Sequence, residues 1–145
     1  MPAWVEQACA DYKRRLPAEI CLNSILLPLI KRGKNPDIKR IVRDESRKLL
    51  AAVPPRSVLV VLDVQGQMLS TENFSRRLDN WLQQGQDIAL IIGGPDGVST
   101  ELLQQARFKI SLSALTFPHT LIRVMLVEQI YRAWSIIANH PYHRG

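Results

Sequence analysis

Cysteine is scarce in this chain, and the two that occur, Cys9 and Cys21, stand twelve residues apart. That spacing matches no zinc or dithiol motif and two thiols make no disulfide framework, so both are read as reduced and structural, and no metal is expected. Long apolar runs are missing too. None reaches the roughly 18 residues that a bilayer-crossing helix requires, and the first residues, Met1-Pro-Ala-Trp-Val-Glu6, show no basic stretch leading into an apolar one. The expectation is a cytoplasmic protein with no membrane partner. Neither GxGxxG nor GxxxxGK(S/T) occurs anywhere, which disfavours a Rossmann-type dinucleotide site and a P-loop. Internal repeats and low-complexity linkers are absent as well.

What is present is the composition of a globular chain. With 145 residues, 46% apolar and 22% charged, it can bury a normal core, and a single domain spanning 1–145 is expected. The net charge of +6 suggests a polyanionic partner. Most of that excess is local: residues 31–48 hold eight basic side chains against three acids. Within them, Lys31, Arg32 and Lys34 sit in a loop suited to phosphate contacts, which position an RNA without reading its sequence.

Periodicity predicts alternating helices and strands. Trp4, Val5, Ala8, Tyr12 and Leu16 recur at helical spacing, predicting a helix over 2–16. An apolar run at 20–30 reads as a strand with Pro28 at its edge or end. Asn35-Pro36-Asp37 opens a second helix, with Asn35 as cap and an apolar stripe from Ile38 to Val53. Val58–Leu62 lacks alternation and reads as a strand buried on both faces. A third helix starts at Ser70 or Thr71 and ends at Gly85. A strand at 88–92, a short helix from about 99 to 108 and a strand around 110–116 follow. His119 and Thr120 cap a last helix, 119–138, that is apolar on nearly every side and so predicts a subunit interface. Strands alternating with helices imply an α/β fold with a parallel sheet.

Three segments carry chemistry. Gly93-Gly94-Pro95-Asp96-Gly97 directly follows a buried strand, where a parallel sheet opens its ligand crevice, and Gly97 permits a positive φ. Leu112-Ser-Ala-Leu-Thr-Phe-Pro118 mixes small, hydroxyl and apolar residues that suit an adenine ring. The tail His140-Pro-Tyr142-His143-Arg144 sets a ring for stacking, an imidazole for proton transfer and a guanidinium for phosphate side by side. Each segment alone also fits an ordinary turn, a buried strand or a frayed end.

Taken in order, Lys31-Arg-Gly-Lys-Asn35, Leu62-Asp63, Ile92-Gly-Gly-Pro95, Leu112-Ser-Ala-Leu-Thr116, Pro118-His119, Glu128-Gln-Ile-Tyr-Arg-Ala-Trp134 and Tyr142-His143 make the chain from Met1 to Arg144 resemble one family. It is the ribosomal RNA large-subunit methyltransferase H family of the SPOUT superfamily. The resemblance implies a SPOUT-type α/β fold with a C-terminal trefoil knot, which sequence pattern does not reveal and general topology rules would reject. It also implies a homodimer, the cofactor S-adenosylmethionine, and methylation of N3 of a pseudouridine in 23S ribosomal RNA on the assembled ribosome.

Carried over by position, the cofactor site comprises Leu62, Gly93, Gly94, Leu112, Ser113, Ala114, Leu115, Thr116, Phe117 and Pro118. The resemblance further implies that Tyr142, His143 and Arg144 come from the partner subunit as catalytic residues. His143 would accept the N3 proton while Tyr142 or Arg144 holds the base, with Lys31, Arg32 and Lys34 on RNA. Asp96 stands where relatives often carry Glu. Relatives begin with a strand of the form Met-Lys-hydrophobic running into a Val-Gly-Lys turn, and that strand is absent from this sequence. Two rivals stay open: a SPOUT methyltransferase acting on another RNA such as transfer RNA, and a non-catalytic dimeric RNA-binding module.

Overall fold

The computed structural model describes residues 1–144. In chain order its elements are α1 (Ala3–Arg15), α2 (Ile38–Ala52), β1 (Val58–Met68), α3 (Thr71–Gln84), β2 (Ile88–Ile92), α4 (Thr100–Gln105), β3 (Phe108–Ser111), α5 (His119–Ile137) and a 3-10 turn, Pro141–Arg144. The three strands form one parallel sheet in the order β2-β1-β3. β1 is therefore paired on both edges. Its side chains alternate, as any strand's must: Val58 and Val60 face the α3 and α5 layer with Phe74, Leu78, Trp81 and Ile130, while Leu59 and Val61 face α2 and α4 with Leu50 and Leu102. An unbroken Val-Leu-Val-Val run is what a strand covered on both faces requires.

Local chemistry sets most helix ends. Ser70 Oγ accepts from the amide of Asn73 and Ser99 Oγ from that of Leu102, each at 3.1 Å, and α3 closes at Gly85 as expected. Two caps differ from the sequence reading. α2 is capped by Asp37, whose carboxylate accepts from the amide of Arg40 at 3.3 Å, so Asn35 and Pro36 lie outside the helix. α5 begins after Pro118 with no side-chain cap, and neither His119 nor Thr120 makes one.

Two strands differ as well. Residues 20–30 form no ladder, so the predicted strand is not there; Ile25, Leu26 and Leu29 are exposed. They border a cavity of about 650 Å³ whose other walls include Leu90 of β2, Trp81 and Ile130, so the outer edge of β2 has no strand beside it. β3 ends at Ser111 instead of 116. There Ser111 Oγ donates to the carbonyl of Ser113 and the amide of Leu115 donates to Ser113 Oγ, turning the chain out of the sheet.

α5 is covered by α3 on one side and by α1 on another, where Val5, Cys9 and Val127 pack together. Burial pushes the Cys9 thiol above its ordinary value, while Cys21 is exposed; both are free. Trp4, expected on the packed stripe of α1, is instead 54% exposed. Among the described residues no helix is long and apolar enough to cross a membrane.

β1 bulges after Leu62, so that Leu62 and Gln67 both pair with Ile110. The bulge presses Gly66 onto β3: a Cβ there would stand 2.6 Å from the backbone carbon of Lys109. Backbone cannot swing aside as a side-chain tip can. Gly66→Ala is expected to cost about 1–3 kcal/mol, the usual penalty of overpacking, read as a lower urea midpoint at unchanged slope.

Candidate active site

The register of the sheet gathers three loops at one edge. Leu62 pairs with Ile92 on one side and Ile110 on the other, so the point where β1 begins to bulge lies level with the last residue of β2 and the last but one of β3. Gly93 follows one residue beyond Ile92, and Leu112 two beyond Ile110. This is the edge at which parallel sheets present ligands. Of the residues expected to hold the cofactor, Leu62, Gly93, Gly94, Leu112, Ser113 and Phe117 are half-buried, whereas Ala114, Leu115, Thr116 and Pro118 are exposed. Leu115 is 69% exposed, and Val64 and Met68, on the bulged end of β1, are 52% and 62% exposed. Exposed apolar side chains on neighbouring loops fit the ring faces of a nucleoside, as S-adenosylmethionine has.

The glycine loop is a tight turn in which the amide of Gly97 donates to the carbonyl of Gly94 at 3.0 Å, with Gly97 at φ +80°. It is tied to the basic loop. Arg32 forms a fork on Glu45, Nη1 to Oε2 at 2.6 Å and Nη2 to Oε1 at 3.0 Å, while its Nε reaches Asp96 Oδ2 at 3.1 Å. The amide of Ile30 also donates to Glu45 Oε2, at 2.9 Å, and Arg32 Nη1 donates back to the Ile30 carbonyl at 2.8 Å. A Cβ on Gly94 would approach Glu45 Oε1 to 3.2 Å, so the glycine loop packs directly over the ion pair. Lys31 and Lys34 are exposed.

The tail is ordered, not frayed. Tyr142 lies against the Tyr131 ring with centroids 4.6 Å apart, and Arg132 sits over its face at 4.9 Å. Its hydroxyl donates to Glu128 Oε2 at 2.8 Å and stands 3.3 Å from that of Tyr12. Burial first, and then the hydrogen bonds to Tyr12 and Glu128, push the phenol above its ordinary value, so it stays protonated. Arg132 Nη2 donates to the same Glu128 oxygen, Oε2, at 2.7 Å. His143 Nδ1 is 3.3 Å from the hydroxyl of Ser135, and Arg144 is exposed. The tail thus rests on α1 and α5 of its own chain. His119, half-buried, borders the large cavity beside Gly93 and Gly94.

Sequence reasoning missed Glu45, Glu128, Arg132 and Ser135. Glu45 carried a signal: it falls one helical turn from both Ile41 and Leu49, on the face read as buried. Glu128 and Arg132 stand four apart on a helix, the spacing of a side-chain pair. Among the described residues no group of three or more His, Cys, Asp or Glu side chains could hold a metal ion.

Comparison with known proteins shows the family. Residues 1–143 match the family described as predicted SPOUT methyltransferase. A protein from Hydrogenovibrio crunogenus is 51% identical over 144 residues, which cover 99% of this chain and 92% of the relative. One from Thioalkalivibrio sulfidiphilus matches at the same identity and coverage, and one from Coxiella burnetii is 46% identical over 99% of this chain and 93% of its own length. All three bear the name ribosomal RNA large subunit methyltransferase H.

Glu45 supplies a test of the clamp. Burial raises its pKa, but the hydrogen bonds from Arg32 and the Ile30 amide outweigh that and hold it below its ordinary value. A lowered carboxyl stabilises the fold above the unfolded-state pKa of about 4.3 and ceases to do so as pH falls through the folded value. Glu45→Gln should therefore lower the urea midpoint at pH 7, with the gap to wild type closing as the pH is taken down from about 4.3. An equal gap at both ends of that range would mean that the Glu45 charge contributes nothing.

Proposed function

We infer the activity from one premise: this chain belongs to the SPOUT methyltransferase family. It transfers a methyl group from S-adenosylmethionine to ribosomal RNA of the large subunit, at N3 of a pseudouridine in 23S RNA on the assembled ribosome. The supporting observation is the level register of Leu62, Ile92 and Ile110, from which the chain leaves β2 into Gly93-Gly94 and β3 toward 112–118 at one edge of the sheet. The relatives' shared name supports the RNA class. A ribosomal substrate carries a cytoplasmic location with it. The trefoil knot belongs to the same reading.

When bound, S-adenosylmethionine supplies an electrophilic methyl on a sulfonium. Leu62, Gly93, Gly94 and residues 112–118 would hold it, with backbone groups reading the adenine. In-line displacement chiefly requires alignment, so these residues act by fixing position. The N3 proton of the target base must leave, and His143 accepts it. Tyr142 is unsuited to that task because its proton is held by Glu128; it offers instead a fixed aromatic wall. Arg144 and the exposed Lys31 and Lys34 contact phosphate or base, and Arg32 shapes their loop through Glu45.

The active form is a homodimer in which each tail completes the partner's substrate pocket. Exposed Trp4 on α1 and partly exposed Ile137 at the end of α5 support an interface there, and the anchoring of Tyr142 makes the tail a rigid extension of that helix.

Incubation with S-adenosylmethionine and unmethylated intact ribosomes should yield N3-methylpseudouridine, detected by mass spectrometry after digestion, while free transfer RNA stays unmodified. Methylated transfer RNA instead would favour the rival substrate, and no product with either would favour an RNA-binding module. His143→Ala should lower turnover at saturating ribosomes by roughly 10²-fold or more, the usual share of general-base catalysis. Reversing Lys31 and Lys34 to Glu should weaken ribosome binding and flatten its salt dependence by about 0.7–0.9 per lost contact in log–log slope. Cofactor affinity should not change.

A further inference from the structure

Ser135 is fully buried on α5, and its hydroxyl meets two groups. Oγ donates to the carbonyl of Arg132 at 2.6 Å and lies 3.3 Å from His143 Nδ1. A serine hydroxyl has one hydrogen. The carbonyl can only accept, and at 2.6 Å it takes that hydrogen, so toward the imidazole the Ser135 oxygen can act only as acceptor. His143 Nδ1 must then be the donor. In a neutral imidazole the proton on one nitrogen leaves the other as a lone pair. No protein group among the described residues hydrogen-bonds to Nε2.

We propose that Ser135 is a positioning residue that holds His143 in its Nδ1–H tautomer and leaves Nε2 as the nitrogen that accepts the substrate proton. The inference rests on the reading of His143 as proton acceptor. The geometry makes the device local to α5: the Arg132 carbonyl orients the Ser135 hydroxyl, the hydroxyl orients the ring, and the amide of His140 donating to the Ser135 carbonyl at 2.7 Å fixes the chain between them. In the transfer the N3–H bond breaks, a bond from that proton to Nε2 forms, and the ring becomes an imidazolium donating to Ser135 from Nδ1. The hydroxyl need not turn at any point. Arg132 also grips Glu128, so the tyrosine anchor and the histidine tautomer share one residue.

The test reads the tautomer directly. Protein labelled with 15N-histidine is examined by two-bond 15N–1H correlation at a pH near 9, where free imidazole is neutral; His143 is assigned among the three histidines by comparison with His143→Gln. Wild type should show the Nδ1–H form. Ser135→Ala should revert to the mixture of free imidazole, with kcat on ribosomes reduced about tenfold, the population change one ordinary hydrogen bond supports, and KM unchanged. Ser135→Thr, which keeps the hydroxyl, should restore both. An Nε2–H form in active wild type overturns the proposal whether or not either variant folds. So does a Ser135→Ala protein with unaltered tautomer and kcat. Wild type in the Nδ1–H form that methylates no ribosomes would sustain the tautomer assignment and defeat the functional reading instead.

Discussion

Pairing of β1 on both its edges sets where everything else in the molecule lies. Because Leu62 is paired with β2 on one side and β3 on the other, the glycine loop and the segment after β3 leave the sheet at one edge, and the candidate site there depends on that register. A one-residue slip would turn Val58 and Val60 to the wrong helix layer, so the same core that stabilises the sheet also fixes the site. Gly66 belongs to this constraint too, since the bulge it permits lets Leu62 and Gln67 share Ile110.

Electrostatics then couples segments that the hydrogen bonds of the sheet do not join. Arg32 of the irregular 20–34 stretch, Glu45 of α2 and Asp96 of the glycine loop form one connected cluster beside Gly94. Glu45 would be costly to bury alone, but with a guanidinium fork and a backbone amide it becomes a rivet between three parts of the chain. Glu128 plays the corresponding part for the tail, receiving Arg132 and the hydroxyl of Tyr142.

Features governed by near neighbours in sequence were legible: Ser70, Ser99 and Gly85 mark helix ends by their own chemistry, and β2 falls where its apolar run said it would. Features that depend on a distant partner were not. Residues 20–30 have strand composition, yet a strand also requires a neighbour to bond to, and composition cannot supply one. The run through 112–115 stayed apolar past the end of β3 because nothing in hydrophobicity registers the Ser111 and Ser113 hydroxyl bonds that turn the chain. The segments of the candidate site could be listed from motifs, but the docking of Tyr142 on Glu128 and of His143 on Ser135 joins residues 14 and eight positions apart with no periodic signature.

The strand order has a consequence for how the chain reaches this state. Leu62 finds its first partner at Ile92 and its second at Ile110, thirty and forty-eight positions further on. During synthesis, the central strand of the sheet must therefore wait outside the ribosome, its apolar Val58–Leu62 half unpaired on both edges, until well over half of the molecule has been made. Parallel pairings of such span form late and together. The time between translation of β1 and emergence of β3 is when this chain is most open to aggregation or to capture by a chaperone.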